Sequence, residues 1–120
     1  MAAIFYIFPA LADINQGVIG HWTLDEGVGT VAADASGNGN QGTIIGATWE
    51  TGRISNALNF DGTDDRVEIP ASSAFNFGAG DFTLAAWIRP EADRVMGIVT
   101  HYDSTRSGYF GLQVGTLSRI

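Results

Sequence analysis

The sequence predicts an all-β protein, built as an antiparallel β-sandwich or barrel. Three observations carry this. No stretch of ten or more residues keeps a helical apolar period with caps at both ends. The apolar residues come in short runs separated by turn signals. Glycine is abundant, at 16 of 120 residues against 3 prolines, as in chains with many tight turns.

Taken in order, the elements begin with Met1 to Ala12, MAAIFYIFPALA. This apolar run ends in the small-x-small triplet Ala10-Leu11-Ala12, which predicts a secretory signal cleaved before Asp13 and hence a secreted, extracellular protein. The alternative reading of residues 1–12 is an extra N-terminal strand or a tail. The run is too short to span a bilayer, so no membrane span is expected. Ile19 to Leu24 is a candidate strand, closed by the Glu26-Gly27-Val28-Gly29 turn. Thr43 to Ile45 and Ala57 to Phe60 are the next two. Asp61-Gly62-Thr63-Asp64-Asp65 is a tight acidic turn leading into Arg66-Val67-Glu68-Ile69, whose polar–apolar alternation is that of a half-buried strand. Phe82 to Arg89 is the strongest strand. Phe82, Leu84, Ala86 and Ile88 fall on one face, with Thr83, Ala85, Trp87 and Arg89 on the other. Both faces are largely apolar, which predicts a central strand ended by Pro90. Met96 to Tyr102 and Tyr109 to Val114, joined by a polar loop, complete the set.

The chain is of single-domain length, with 45% apolar and 16% charged residues. That is a globular composition, not a disordered one. Thirteen acidic residues against six basic ones, all arginine, give a net charge of −7. Such a chain repels phosphate backbones, so nucleic-acid and anionic-membrane partners are discounted. The acidic excess suits a cation or simple solubility. No cysteine is present, which removes disulfides, thiolate nucleophiles and Cys-based zinc sites.

The most specific segment is Asp34-Ala35-Ser36-Gly37-Asn38-Gly39-Asn40-Gln41-Gly42-Thr43. Its Asp, Ser and Asn side chains offer oxygens within one glycine-rich loop, the mixture a hard cation such as calcium takes. The competing reading is that Asp and Asn make Asx turns that hold the loop's shape. The spacing is not that of an EF-hand, since position twelve from Asp34 is Ile45.

With His21-Trp22-Thr23-Leu24-Asp25-Glu26-Gly27 ahead of it, this loop resembles the opening of laminin-G-like, concanavalin-A-like jelly-roll domains of the pentraxin superfamily. Gly52-Arg53-Ile54-Ser55-Asn56-Ala57-Leu58-Asn59-Phe60-Asp61-Gly62 resembles the next block. Asp81-Phe82-Thr83-Leu84-Ala85-Ala86-Trp87-Ile88-Arg89-Pro90 resembles the central-strand block. The blocks keep the family's order from about Gly20 to Val114. The resemblance implies a two-sheet jelly roll over residues 17–120, with a role in binding or adhesion, often of carbohydrate. It also implies a rim calcium at the positions matched by Asp34 and Asn38, and more loosely by Asp103, which lies in a loop similar to a pentraxin metal loop. The family's closing strand, similar to Asp-x-Val-Arg-Ile-Tyr, has no counterpart before Ile120. The chain is therefore expected to be the N-terminal part of the domain, with open edges that invite association.

Other chemistry finds little support in the sequence. His21 and His101 are far apart and sit within apolar strand patterns, as structural histidines do. Glu26 and Glu68 lack the close spacing of glucanase carboxylates, and neither a nucleophile elbow, a phosphate loop nor a His-Glu-x-x-His motif is present. Of the three tryptophans, Trp22 and Trp87 lie in strand patterns and are expected in the core. Trp49, in a loop-like stretch, is the candidate for stacking on a sugar ring. The function expected is a non-catalytic carbohydrate- or glycoprotein-binding module, calcium-assisted, neighbouring other domains of a larger extracellular protein. The alternatives are a structural or adhesive spacer and, more remotely, a truncated glucanase-like hydrolase.

Overall fold

The computed structural model describes residues 5–9, for which only the backbone course is given, and residues 17–91, 95–101 and 110–115. Ten strands appear in chain order: β1 (Phe5–Pro9), β2 (Gly20–Trp22), β3 (Val31–Ala32), β4 (Gly42–Ile45), β5 (Thr48–Thr51), β6 (Asn56–Asn59), β7 (Arg66–Glu68), β8 (Phe82–Ala86), β9 (Met96–His101) and β10 (Phe110–Val114). A single 3-10 turn, Ser73–Phe75, is the one helical element among the described residues. The protein is all-β, and its ladders are antiparallel throughout. None of its described helices is long and apolar enough to cross a membrane.

Among the described residues the ladders draw four short sheets, ordered β2-β1-β8, β3-β4-β7, β5-β6 and β9-β10. The corner between two of them shows why. β4 pairs with β7, whereas β5, two residues later, pairs with β6. Gly46 makes that turn at φ +78°, and the Asp65 carboxylate occupies the space a Cβ would need there. Only glycine combines the left-handed backbone with that approach.

The core is assembled from Trp22, Leu24, Ala32, Ile44, Leu58 and Phe75, each buried, with Ile19, Trp49, Val67, Leu84 and Ile88 packed against it. Trp22 folds back over Gly20, where any Cβ would run into the indole, and its Nε1 donates to the Asn40 carbonyl at 2.8 Å. The expected strand Ile19–Leu24 is therefore shorter than its apolar pattern. It ends at Trp22, and Leu24 turns the chain at φ 54° while its side chain stays 1% exposed. Burial of that leucine offsets the cost of a backbone region that L-residues rarely adopt. Ser72 starts the 3-10 turn by accepting from the Ala74 N–H, and the turn delivers Phe75 to the core.

The strand expected over Phe82–Arg89 ends earlier, at Ala86, and among the described residues it is not central: β8 pairs there with β1 alone and forms an edge of its sheet. One face, Leu84 and Ile88, meets the core, while Thr83, Ala85 and Trp87 are exposed. A run of rings ties β8 to β9–β10. Phe77 stacks on Phe82 with centroids 4.6 Å apart, Phe110 lies 5.0 Å from Phe82, and His101 stacks on Phe110 at 4.8 Å. Strands β3 and β5 are absent from the sequence expectation. β3 has two residues, and β5 carries only one large apolar side chain, so neither makes a periodic signal.

Candidate functional site

The Asp34–Thr43 loop folds as a hydrogen-bonded knot against the approach to β2. Asp34 forms an isolated bridge with Trp22. Its Oδ1 accepts from the N–H groups of His21 (3.0 Å) and Ser36 (2.9 Å), and its Oδ2 from that of Asn40 (2.9 Å). Partial burial pushes the Asp34 carboxyl up. The Ser36 side chain and the N–H groups of His21, Ser36 and Asn40 pull it down by more, so it sits below the ordinary aspartate value.

Asn38 and Asn40 are engaged on the same neighbour. Asn38 Nδ2 donates to the carbonyls of Val18 (2.8 Å) and Ile19 (3.1 Å), and Asn40 Nδ2 to that of Ile19 (2.8 Å). The side chains that resemble a calcium loop thus fasten one stretch of backbone to another. Asp34 spends both oxygens on amide donors, and Asn38 presents its amide hydrogens inward. Asp34 and Asn38 are thus both engaged in holding the loop to the approach to β2, as Asx-type residues that shape a turn are. Asp103 lies outside the described residues.

Carboxylates converge elsewhere, on Asp61, Asp64 and Asp65, whose ligand atoms lie within 4.8 Å of one another. The turn is shaped by Thr63 N–H donating to Asp61 Oδ1 (2.7 Å) and by Asp61 N–H donating to Asp65 Oδ2 (2.8 Å). Beside it lies a cavity of about 680 Å³, lined by core side chains including Trp22, Leu24 and Phe75, and by His101 and Phe110. The sequence shows the acidic turn as a connection. Its spacing, positions one, four and five, is the signal by which the convergence could have been found.

Trp22 is in the core as expected, whereas Trp49 and Trp87 depart from their expected places. Trp49 lies in β5, half-buried against the core, with its Nε1 donating to the Gly29 carbonyl at 2.9 Å. Its N–H is therefore engaged within the protein. Trp87, expected inside, is 71% exposed. The exposure alternation places Arg89 on the same side of the chain, where its guanidinium meets Glu91 (2.9 Å) and Glu50 (3.7 Å). No family model, curated protein or solved structure matches the chain. The site must therefore be read from its own chemistry.

Glu26 and Glu68 serve separate ends. Glu26 Oε1 accepts from the Ala33 N–H at 2.7 Å, and Glu68 pairs with Arg66 at 2.7 Å. His101 is a ring in the aromatic run, as expected of a structural histidine.

Proposed function

We propose that the chain is a non-catalytic carbohydrate- or glycoprotein-binding module of a secreted protein, of the laminin-G-like jelly-roll kind that its sequence blocks resemble. The observation that carries the reading is Trp87. An exposed indole just past the end of β8, two residues before an arginine that pairs with two carboxylates, offers both halves of sugar recognition. The ring takes the sugar's C–H face, and the charged groups take its hydroxyls. The small-x-small triplet Ala10-Leu11-Ala12 supports the extracellular setting. Calcium assistance, where it operates, belongs to Asp61, Asp64 and Asp65, because the Asp34 loop is committed to its own amides.

A glycan array with and without chelator, followed by titration of the best ligand, tests this. Trp87→Ala is expected to weaken binding at least tenfold with the melting temperature unchanged. No binding to any glycan in either condition, or full binding by Trp87→Ala, overturns it. The internal saturation of the Asp34 loop favours a second reading, a structural or adhesive spacer, and a silent array would select it.

A further inference from the structure

Strand β8 has one ladder among the described residues, and that ladder is to β1. All five of its residues pair with Phe5–Pro9. The three residues of β2 pair with β1 as well, Gly20 with Ile7, His21 with Tyr6 and Trp22 with Phe5. β1 therefore lies between two strands that do not pair with each other, antiparallel to both. Sheet spacing puts β2 and β8 about 9.5 Å apart across it, more than twice the reach of a hydrogen bond. Neither edge can satisfy the other, so without an inserted strand three positions on β2 and five on β8 lose their partners.

The inserted segment joins the rest of the protein only through the ten residues between Pro9 and Gly20, long for a hairpin connection. The backbone of β1 is paired along both edges by the body, as when a peptide is added to a sheet. Its sequence, Phe5-Tyr6-Ile7-Phe8-Pro9, is apolar, and its proline stands at the end of the strand, where a missing N–H is tolerated.

We infer that the body of this protein is a strand acceptor: the gap between β2 and β8 binds an extended apolar peptide antiparallel to both edges, and Phe5–Pro9 is its tethered occupant. The partner class is a five-residue strand with its backbone free to pair on both sides, selected by main-chain hydrogen bonds. This does not depend on the glycan reading, since it rests on the β1 ladders and not on Trp87, and cleavage after Ala12 at the Ala10-Leu11-Ala12 triplet would leave Phe5–Pro9 held by those ladders without a tether. A failure of either leaves the other standing.

The test keeps the full chain. A specific protease site is placed between Ala10 and Gln16, and the folded protein is cut there. The released segment is expected to stay bound through gel filtration and to exchange with a fluorescent peptide of residues 1–12. The double variant of that peptide, Tyr6→Pro with Ile7→Pro, removes two adjacent N–H donors and is expected to bind at least tenfold more weakly. Should the cut protein aggregate, suppression by the native peptide and not by the proline peptide supports the same conclusion. Three results would overturn it. One is loss of the segment with the melting temperature unchanged. Another is equal binding of the two peptides. The third is aggregation that neither peptide prevents.

Discussion

Replacing Asp34 with alanine isolates the knot that fastens the Asp34–Thr43 loop to β2. Three backbone N–H groups, those of His21, Ser36 and Asn40, lose their acceptor at once. An unsatisfied buried donor costs about 1–3 kcal/mol. Asp34 is half-buried and water reaches part of the loop, so about 1 kcal/mol for each bond is the fitting value, or about 3 kcal/mol in all. For a domain of this size that lowers the melting temperature by roughly 10 °C. Asp34→Asn keeps one acceptor oxygen and turns an NH₂ toward the third donor, so about a third to a half of the loss is expected. The effect also has a pH signature. The folded carboxyl titrates below its ordinary value, so its contribution is complete above the unfolded-state pKa near 3.8. It is lost as pH falls through the lower folded value. The gap in melting temperature between the wild type and Asp34→Asn is therefore constant above about pH 5 and closes as pH drops below about 4. Thermal unfolding by circular dichroism across that range is the assay. An Asp34→Ala protein melting within 2 °C of wild type would refute the reasoning.

Leu58→Ala empties the position of a fully buried side chain and is expected to cost about 2–5 kcal/mol, measured by denaturant titration. Gly46→Ala forces a Cβ into a φ of +78° and against the Asp65 carboxylate. A loss of about 1–3 kcal/mol is expected in the same measurement, and a neutral result would show that the corner relaxes freely. Trp49→Phe removes the indole donor to the Gly29 carbonyl. It should destabilise by about 1 kcal/mol and leave glycan affinity untouched, the reverse of Trp87→Ala. If calcium is held, chelator lowers the melting temperature by mass action in the wild type and not in Asp64→Asn. An equal shift in both would place the ion elsewhere.

The all-β class and seven strand positions are legible in the sequence because short apolar runs between glycine and aspartate turns have few other solutions. What escapes it depends on partners. β5 presents Trp49 among polar residues, so only its pairing with β6 and the Gly29 carbonyl reveals that the ring is held. Trp87 reads as core because its strand is apolar on both faces, yet burial of the second face requires an element that covers it, and periodicity does not report one. The Asp34 loop is recognisable by composition. The partners that its Asp and Asn side chains take, Val18, Ile19 and His21, come from β2 and the residues just before it, more than a dozen positions away. The Asp61–Asp65 turn is the converse: a connection by sequence, a convergence of carboxylates in space.

The run of rings from Phe77 through Phe82 and Phe110 to His101 has a kinetic consequence. Among the described residues the β9–β10 hairpin shares no ladder with another sheet, so stacking takes the place of interstrand amide pairing at that seam. Ring contacts resist separation less cooperatively than a continuous ladder does, and such a unit opens on its own before the remainder unfolds. Deuterium uptake should therefore reach the amides of residues 96–101 and 110–114 well ahead of those in β4 and β6.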